Sequence, residues 1–86
     1  MPVPDYQSLM LPVLSVSKIG EIRIGEAADR IAIQLGLTPA ERALLLPSGK
    51  QTVFNNRVHW AKTYLAKAGL VESTRRGHFK IGRAHV

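Results

Sequence analysis

Residues 51 to 81 limit the possible fold more than any other stretch of this chain. "QTVFNNRVHWAKTYLAKAGLVESTRRGHFKI" carries Phe54, Val58, Ala61, Leu65 and Ala68, then Gly69, then two short runs on either side of "TRRG". Spacings of three and four place those five apolar residues on one side of a helix that turns ~100° per residue. The spacing predicts a helix over Gln51 to Ala68, with Gly69 as its C′ stop. At ~1.5 Å per residue it would run about 27 Å, long enough to lie along a groove. Beyond it, "LVES" and "HFKI" read as two strands. Phe79 and Ile81 alternate with His78 and Lys80, so one strand face is buried and the other wet. Gly77 suits the closing position of a type I turn. A long helix that feeds a hairpin is therefore the fixed end of the fold.

The first half supplies what packs against it. Asp5 is placed to cap a helix over roughly residues 6 to 17, with Leu9, Met10, Val13, Leu14 and Val16 as a broad apolar face. Pro12 lies inside and predicts a kink or a late start. Gly20 in "SKIG" is a stop signal, and "EIR" reads as a brief extended piece. Ile24, Ala28, Ile31 and Leu35 form one stripe of a second helix that closes at Gly36. Ile33 falls off that stripe, either as a partly exposed residue or as part of a wider packed face. In "LTPAERALLLP", Thr38 as N-cap, Pro39 at the first helical position and Glu41 three after the cap make a capping box. Ala43, Leu44 and Leu45 are expected to add apolar contact before Pro47, and "PSGK" reads as a turn.

Eighty-six residues suffice for one small domain with one core. There is no cysteine, hence no disulfide, thiol nucleophile or cysteine-held metal, which fits a reducing cytoplasm. No apolar run approaches the ~18 residues of a membrane span, and the start lacks a signal-peptide pattern. Charge is unevenly placed. Residues 1–49 carry Lys18, Arg23, Arg30 and Arg42 against Asp5, Glu21, Glu26, Asp29 and Glu41, a net −1. Residues 50–86 carry Lys50, Arg57, Lys62, Lys67, Arg75, Arg76, Lys80 and Arg83 against Glu72 alone, a net +7. Such asymmetry points to a polyanionic partner, nucleic acid or an anionic membrane surface, unless the chain is merely basic.

The long helix narrows that choice. Opposite its apolar side stand Thr52, Asn55, Asn56, His59 and Thr63, flanked by Lys62 and Lys67. Asn and Thr are poorer helix formers than the Glu, Lys and Gln of an ordinary wet face, so their grouping there costs stability. Asn bonds adenine in a bidentate way and Thr touches the thymine methyl, which makes base reading one compensation. Capping near the helix start is the other. Helices followed by a hairpin give the order of a winged helix-turn-helix, with the recognition helix in the major groove and the wing on the flanking backbone. The expected fold is mainly α with a small β-hairpin: three to four helices plus a C-terminal two-stranded wing. Arg75 and Arg76 at the wing tip repel each other but serve against phosphates or in a narrow minor groove. Otherwise they are ordinary solubilising turn residues.

Nearly the whole chain resembles the N-terminal domain of Mrr-type restriction system proteins. The resemblance rests on "PDYQSLMLPVL" at 4 to 14, "LT" at 37 and 38, "LLPSGKQTVFNNRVHWAKTYLAKAGLVE" at 45 to 72 and "RRGHFKI" at 75 to 81. It implies a winged-helix DNA-binding domain fused, in the full family member, to a nuclease domain of the PD-(D/E)xK type. It also implies bacterial restriction factors that act on modified, typically methylated, DNA. On that view Asn55, Asn56, His59, Lys62 and Thr63 belong to the recognition helix, and Arg75 and Arg76 to the wing. "LSVSKIGEIRIGEAADRIAIQ" departs from the family except in hydrophobic pattern and Gly20. Arg23 stands where a Ser or Thr cap is expected, so the second helix should start loosely.

The candidate DNA contacts are thus Lys50, Gln51, Thr52, Asn55, Asn56, His59, Lys62, Thr63, Arg75 and Arg76, with double-stranded DNA as partner and no cofactor. Residues 1–82 are expected to form the domain, and 83–86 a tail or the start of a linker to a nuclease domain. No catalytic residues are expected here, since no Asp…Glu-x-Lys constellation is present. His59, His78 and His85 lack ligand spacing for zinc. A nucleolytic pairing of His59 with His78 would need proximity in the fold. Lys50 after "PSG" lacks the spacing of a phosphate-binding loop. Trp60 should complete the core or else stack on a sugar or base, and Tyr64 should be core with its hydroxyl in solvent. Arg57 either clamps a phosphate or pairs with an acidic residue from an earlier helix. A different class stays open: a winged helix used for protein interaction or homodimerisation, the first helix packing a partner.

Overall fold

A computed structural model describes residues 5–82. The expected tail at 83–86, with Arg83 and His85, lies outside the described residues. The elements run α1 (Tyr6–Ser17), β1 (Ile22–Arg23), α2 (Ile24–Leu35), α3 (Pro39–Ala43), α4 (Val53–Lys67), β2 (Val71–Arg75) and β3 (His78–Ile81). This is a winged helix, and it carries one strand more than expected. The piece "EIR" contributes β1, which pairs antiparallel with β3 through Ile22 opposite Phe79 and Arg23 opposite His78. The sheet order is β1-β3-β2, so the wing is anchored to the body by its inner strand.

Local chemistry sets most boundaries. The Asp5 carboxylate accepts from the Ser8 N–H at 2.8 Å and starts α1 at Tyr6. The helix starts on time and continues across Pro12. An interior proline costs ~3 kcal/mol, whereas Leu9 and Val13, one on each side, are fully buried and stabilise by ~1.5–3 kcal/mol each. Packing wins. Arg23 precedes α2 with no side-chain cap bond, but the start is not loose, because the Ile24 N–H donates to the Gly77 carbonyl and Arg23 pairs with His78 of β3. The helix ends on Gly36 at φ 69°, where the Leu37 N–H donates to the Ala32 carbonyl at 3.0 Å. Thr38 and Glu41 make the reciprocal capping box of α3. The Thr52 hydroxyl accepts from the Asn55 N–H, so α4 begins at Val53, two residues later than the apolar spacing suggests.

The core lies where α1, α2 and α4 meet the sheet. Leu9, Val13, Ala28, Ile31, Phe54, Val58, Ala61, Leu65, Val71 and Phe79 belong to one cluster. Gly82 passes so close to the Gly69 carbonyl that no Cβ fits, which ties the end of β3 to the end of α4. Several apolar residues fall elsewhere than expected. Ala27 and Ala32 are buried, while Leu35 is exposed and Ile33 is 80 % exposed, because the packed stripe of α2 is rotated from the one read in sequence. Leu44 and Leu45 are about half exposed rather than in contact with the core. α3 ends at Ala43, and Leu44 and Leu45 continue as extended chain, bonded along its backbone to Gln51–Val53. Trp60 and Tyr64 are 45 % and 40 % exposed. Ala61 and Leu65 take the inner side of α4, and the two aromatic rings flank it. Tyr64 stacks on Tyr6 of α1 with centroids 4.8 Å apart, and the Lys67 ammonium sits 5.5 Å above its ring.

Candidate nucleic-acid interface

Three elements meet on one side of the molecule, and specific bonds hold them there. The wing tip is tied to the start of α2 by the Ile24 N–H, which donates to the Gly77 carbonyl at 2.8 Å. Gly77 takes φ 75°, a conformation only glycine adopts cheaply. Beside that bond, the Arg75 guanidinium Nε donates to Glu21 Oε2 at 2.9 Å. The Thr74 hydroxyl and then Arg75 hold the Glu21 carboxyl below its ordinary pKa. The wing is joined to α4 by Lys62, whose Nζ donates to the Ser73 hydroxyl at 2.9 Å. Finally, a cleft of about 160 Å³ lies between α2 and α4. Ile24, Gly25 and Ala28 line it from one side, and Asn55, Val58 and His59 from the other, with Gln51 completing the wall.

Candidate residues divide by whether a bond within the chain already occupies their side chains. Thr52 is committed as a cap, and Thr63 donates back to the His59 carbonyl at 2.9 Å. Asn56 donates to Gln51 Oε1 at 3.3 Å. Lys62 and Arg75 are tethered as described. Lys50, Asn55, His59 and Arg76 are exposed, and among the described residues no partner is recorded for their side chains. The tethers run along this surface, so they bring the candidates together rather than removing them from it. His78 lies in the wing with Nδ1 2.9 Å from the Arg76 carbonyl, and no bond joins it to His59. Among the described residues no His, Asp or Glu cluster of three could hold a metal, and no helix is long and apolar enough to cross a membrane.

Sequence reasoning missed one cation. Arg23 is exposed, and its Nη1 would stand 2.8 Å from a Cβ added at Gly25, so its guanidinium lies over the cleft's α2 wall. The arginine followed two residues later by glycine at a helix start was the available signal. Two acids of the first half pair with arginines of that half: Glu26 with Arg30 at 2.9 Å, and Asp29 with Arg42. The Ser8 N–H holds the carboxyl of Asp5, the α1 cap, below its ordinary pKa, and the positive charge of Arg57 adds a smaller part.

The chain is 37 % identical over 79 residues to the Type IV methyl-directed restriction enzyme EcoKMrr of Escherichia coli (strain K12). That match covers 90 % of this chain and 26 % of the relative, so the chain spans about a quarter of the relative's length. No solved structure matches. The family model described as the Mrr N-terminal domain matches residues 6–85. On that match, with the helix order, wing and capped α4 already in place, the chain belongs to the Mrr N-terminal domain family.

Proposed function

We propose that this chain is a duplex DNA-binding winged helix that serves as the target-recognition part of a modification-dependent restriction endonuclease. The observation that carries it is the convergence of the α2 start, the polar flank of α4 and the wing tip on one surface supplied with Arg23, Lys62 and Arg76. α4 would enter the major groove with Asn55 and His59 toward the base edges. Arg76 and Lys50 would neutralise phosphates on either side. The relative's name speaks of methyl-directed restriction, which supports methylated DNA as the target. The relative's greater length, with its name as a restriction enzyme, supports a nuclease domain joined to residues 1–82 through 83–86; the absence of cysteine fits a cytoplasmic protein.

Fluorescence anisotropy with a labelled duplex at rising salt tests the reading. Binding should weaken steeply with salt, log K falling by ~0.9 per tenfold rise in salt for each phosphate neutralised. Affinity absent at low salt, or insensitive to it, would remove the proposal. The exposed Trp60–Tyr64 pair favours a second reading, a protein-interaction or dimerisation surface, because its rings stand outside the core with centroids 6.1 Å apart. Trp60→Ala and Tyr64→Ala that leave duplex binding intact but abolish self-association in sedimentation would establish that second surface.

A further inference from the structure

The cleft between α2 and α4 combines two kinds of wall. Ala28 and Val58 are buried and apolar, Ile24 is half-buried, and Gly25 contributes no side chain. Above them Asn55 and His59 are exposed, with no recorded partner for amide or imidazole. Its 160 Å³ exceeds many times the ~10–15 Å³ that one water requires, so water fills it until something drier arrives.

An apolar floor under hydrogen-bonding groups suits a base edge that carries a methyl group beside an exocyclic polar atom. In the major groove, pyrimidines alone meet that description: thymine sets its C5-methyl beside O4, and 5-methylcytosine sets the same methyl beside the N4 donor. Unmodified cytosine offers the donor with nothing for the floor. N6-methyladenine fits less well, because its methyl sits on the nitrogen that an asparagine amide would otherwise bond in reading adenine.

We propose that this cleft seats the C5-methyl group of a pyrimidine in duplex DNA, with Ile24, Gly25 and the edge of Ala28 against the methyl, Val58 packed beneath them, and Asn55 or His59 bonded to the exocyclic atom next to it. The inference rests on the DNA-binding reading above. Its test uses duplexes of one sequence with uniform base replacement: cytosine against 5-methylcytosine, uracil against thymine, and adenine against N6-methyladenine. Anisotropy at fixed salt gives each affinity ratio. One of the two pyrimidine ratios should be about fourfold in favour of the methylated base, the ~0.8 kcal/mol of one buried methyl-sized group. A preference in the cytosine pair assigns the seat to modified DNA, and one in the uracil pair to thymine.

Ala28→Val narrows the cleft and should bring the ratio to about one. Should that buried change prevent folding by circular dichroism, Gly25→Ala decides. Its position is helical with ordinary φ, and the new Cβ displaces only the flexible end of Arg23. Duplex binding with both pyrimidine ratios at one, a preference confined to N6-methyladenine, or a ratio unchanged in a folded cleft-filling variant would each overturn the proposal. Absence of any duplex binding would overturn the DNA-binding reading itself, and this one with it.

Discussion

The two wing arginines stand next to each other but differ in what holds them, and replacing each in its own way separates their roles. Arg76 is exposed, and no ion pair is recorded for it among the described residues. If it neutralises one phosphate, Arg76→Ala removes ~0.9 from the slope of log K against log salt. The same relation gives an affinity loss of about eightfold at 0.1 M salt and about threefold at 0.3 M. Arg75 is bonded to Glu21, with side chains 69 % and 38 % exposed. So exposed a pair is worth only ~0–1 kcal/mol, yet breaking it would leave the Glu21 carboxylate facing the phosphates, so the pair should persist on DNA. Replacing both members, Arg75→Ala with Glu21→Gln, leaves net charge unchanged and should shift the slope by less than ~0.3. The assay is anisotropy of a labelled duplex from about 0.05 to 0.3 M salt, with circular dichroism to check each fold. A double variant that loses as much slope as Arg76→Ala would mean that Arg75 leaves Glu21 for a phosphate. An unchanged slope in Arg76→Ala would mean that the wing tip never reaches the backbone.

Three other outcomes follow from single residues. Asn55→Ala should change preference among duplex sequences by ~1–3 kcal/mol at the affected base pair while leaving the salt slope alone. A uniform loss across a sequence panel would make Asn55 a backbone contact. Phe79→Ala empties a fully buried site beneath the sheet and should cost ~3–5 kcal/mol in urea unfolding; a loss under ~1 kcal/mol would mean that the sheet is not packed as described. The Thr38 N–H holds the Glu41 carboxyl below its ordinary pKa, so the capping box contributes stability that is complete above that ordinary value and is lost as pH falls through the lower folded value. Glu41→Gln should flatten that part of the urea midpoint against pH, and Thr38→Ala should cost ~1 kcal/mol at neutral pH.

What the sequence made legible was local. Asp5 and Thr38 act through bonds to N–H groups three residues on, and Gly36 and Gly69 through their own φ, so residue type and spacing carry the information. The apolar stripe of α4 was legible for the same reason, as four of its five members are buried and only Ala68, at the C-cap, is not. β1 was visible only as an extended piece. Two residues have no period, and what makes them a strand is pairing with β3, which lies more than fifty positions away. Trp60 and Tyr64 were misplaced because hydrophobicity does not say which flank of a helix α1 covers. At the interface, the polar flank of α4 and the basic wing were legible as types. Their division into free and tethered groups was not, since Glu21 and Ser73 are surface residues with no pattern of their own.

Those tethers make sense as positioning devices rather than as sources of stability. Lys62–Ser73 and Arg75–Glu21 are exposed, where polar contacts add at most ~1 kcal/mol, while a continuous apolar core holds the fold. What they fix is the spacing of α4 and the wing before a duplex arrives. An immobilised long side chain spares ~0.5–1.5 kcal/mol of ordering on binding. Ser73→Ala isolates this effect, because it frees Lys62 without removing its charge. Duplex affinity should fall by about two- to tenfold, with the salt slope unchanged because the number of cations is the same. Tighter binding in Ser73→Ala would reverse the sign of the reasoning: the hydroxyl would then be holding Lys62 away from a phosphate, and the surface of the free protein would be restrained rather than prepared.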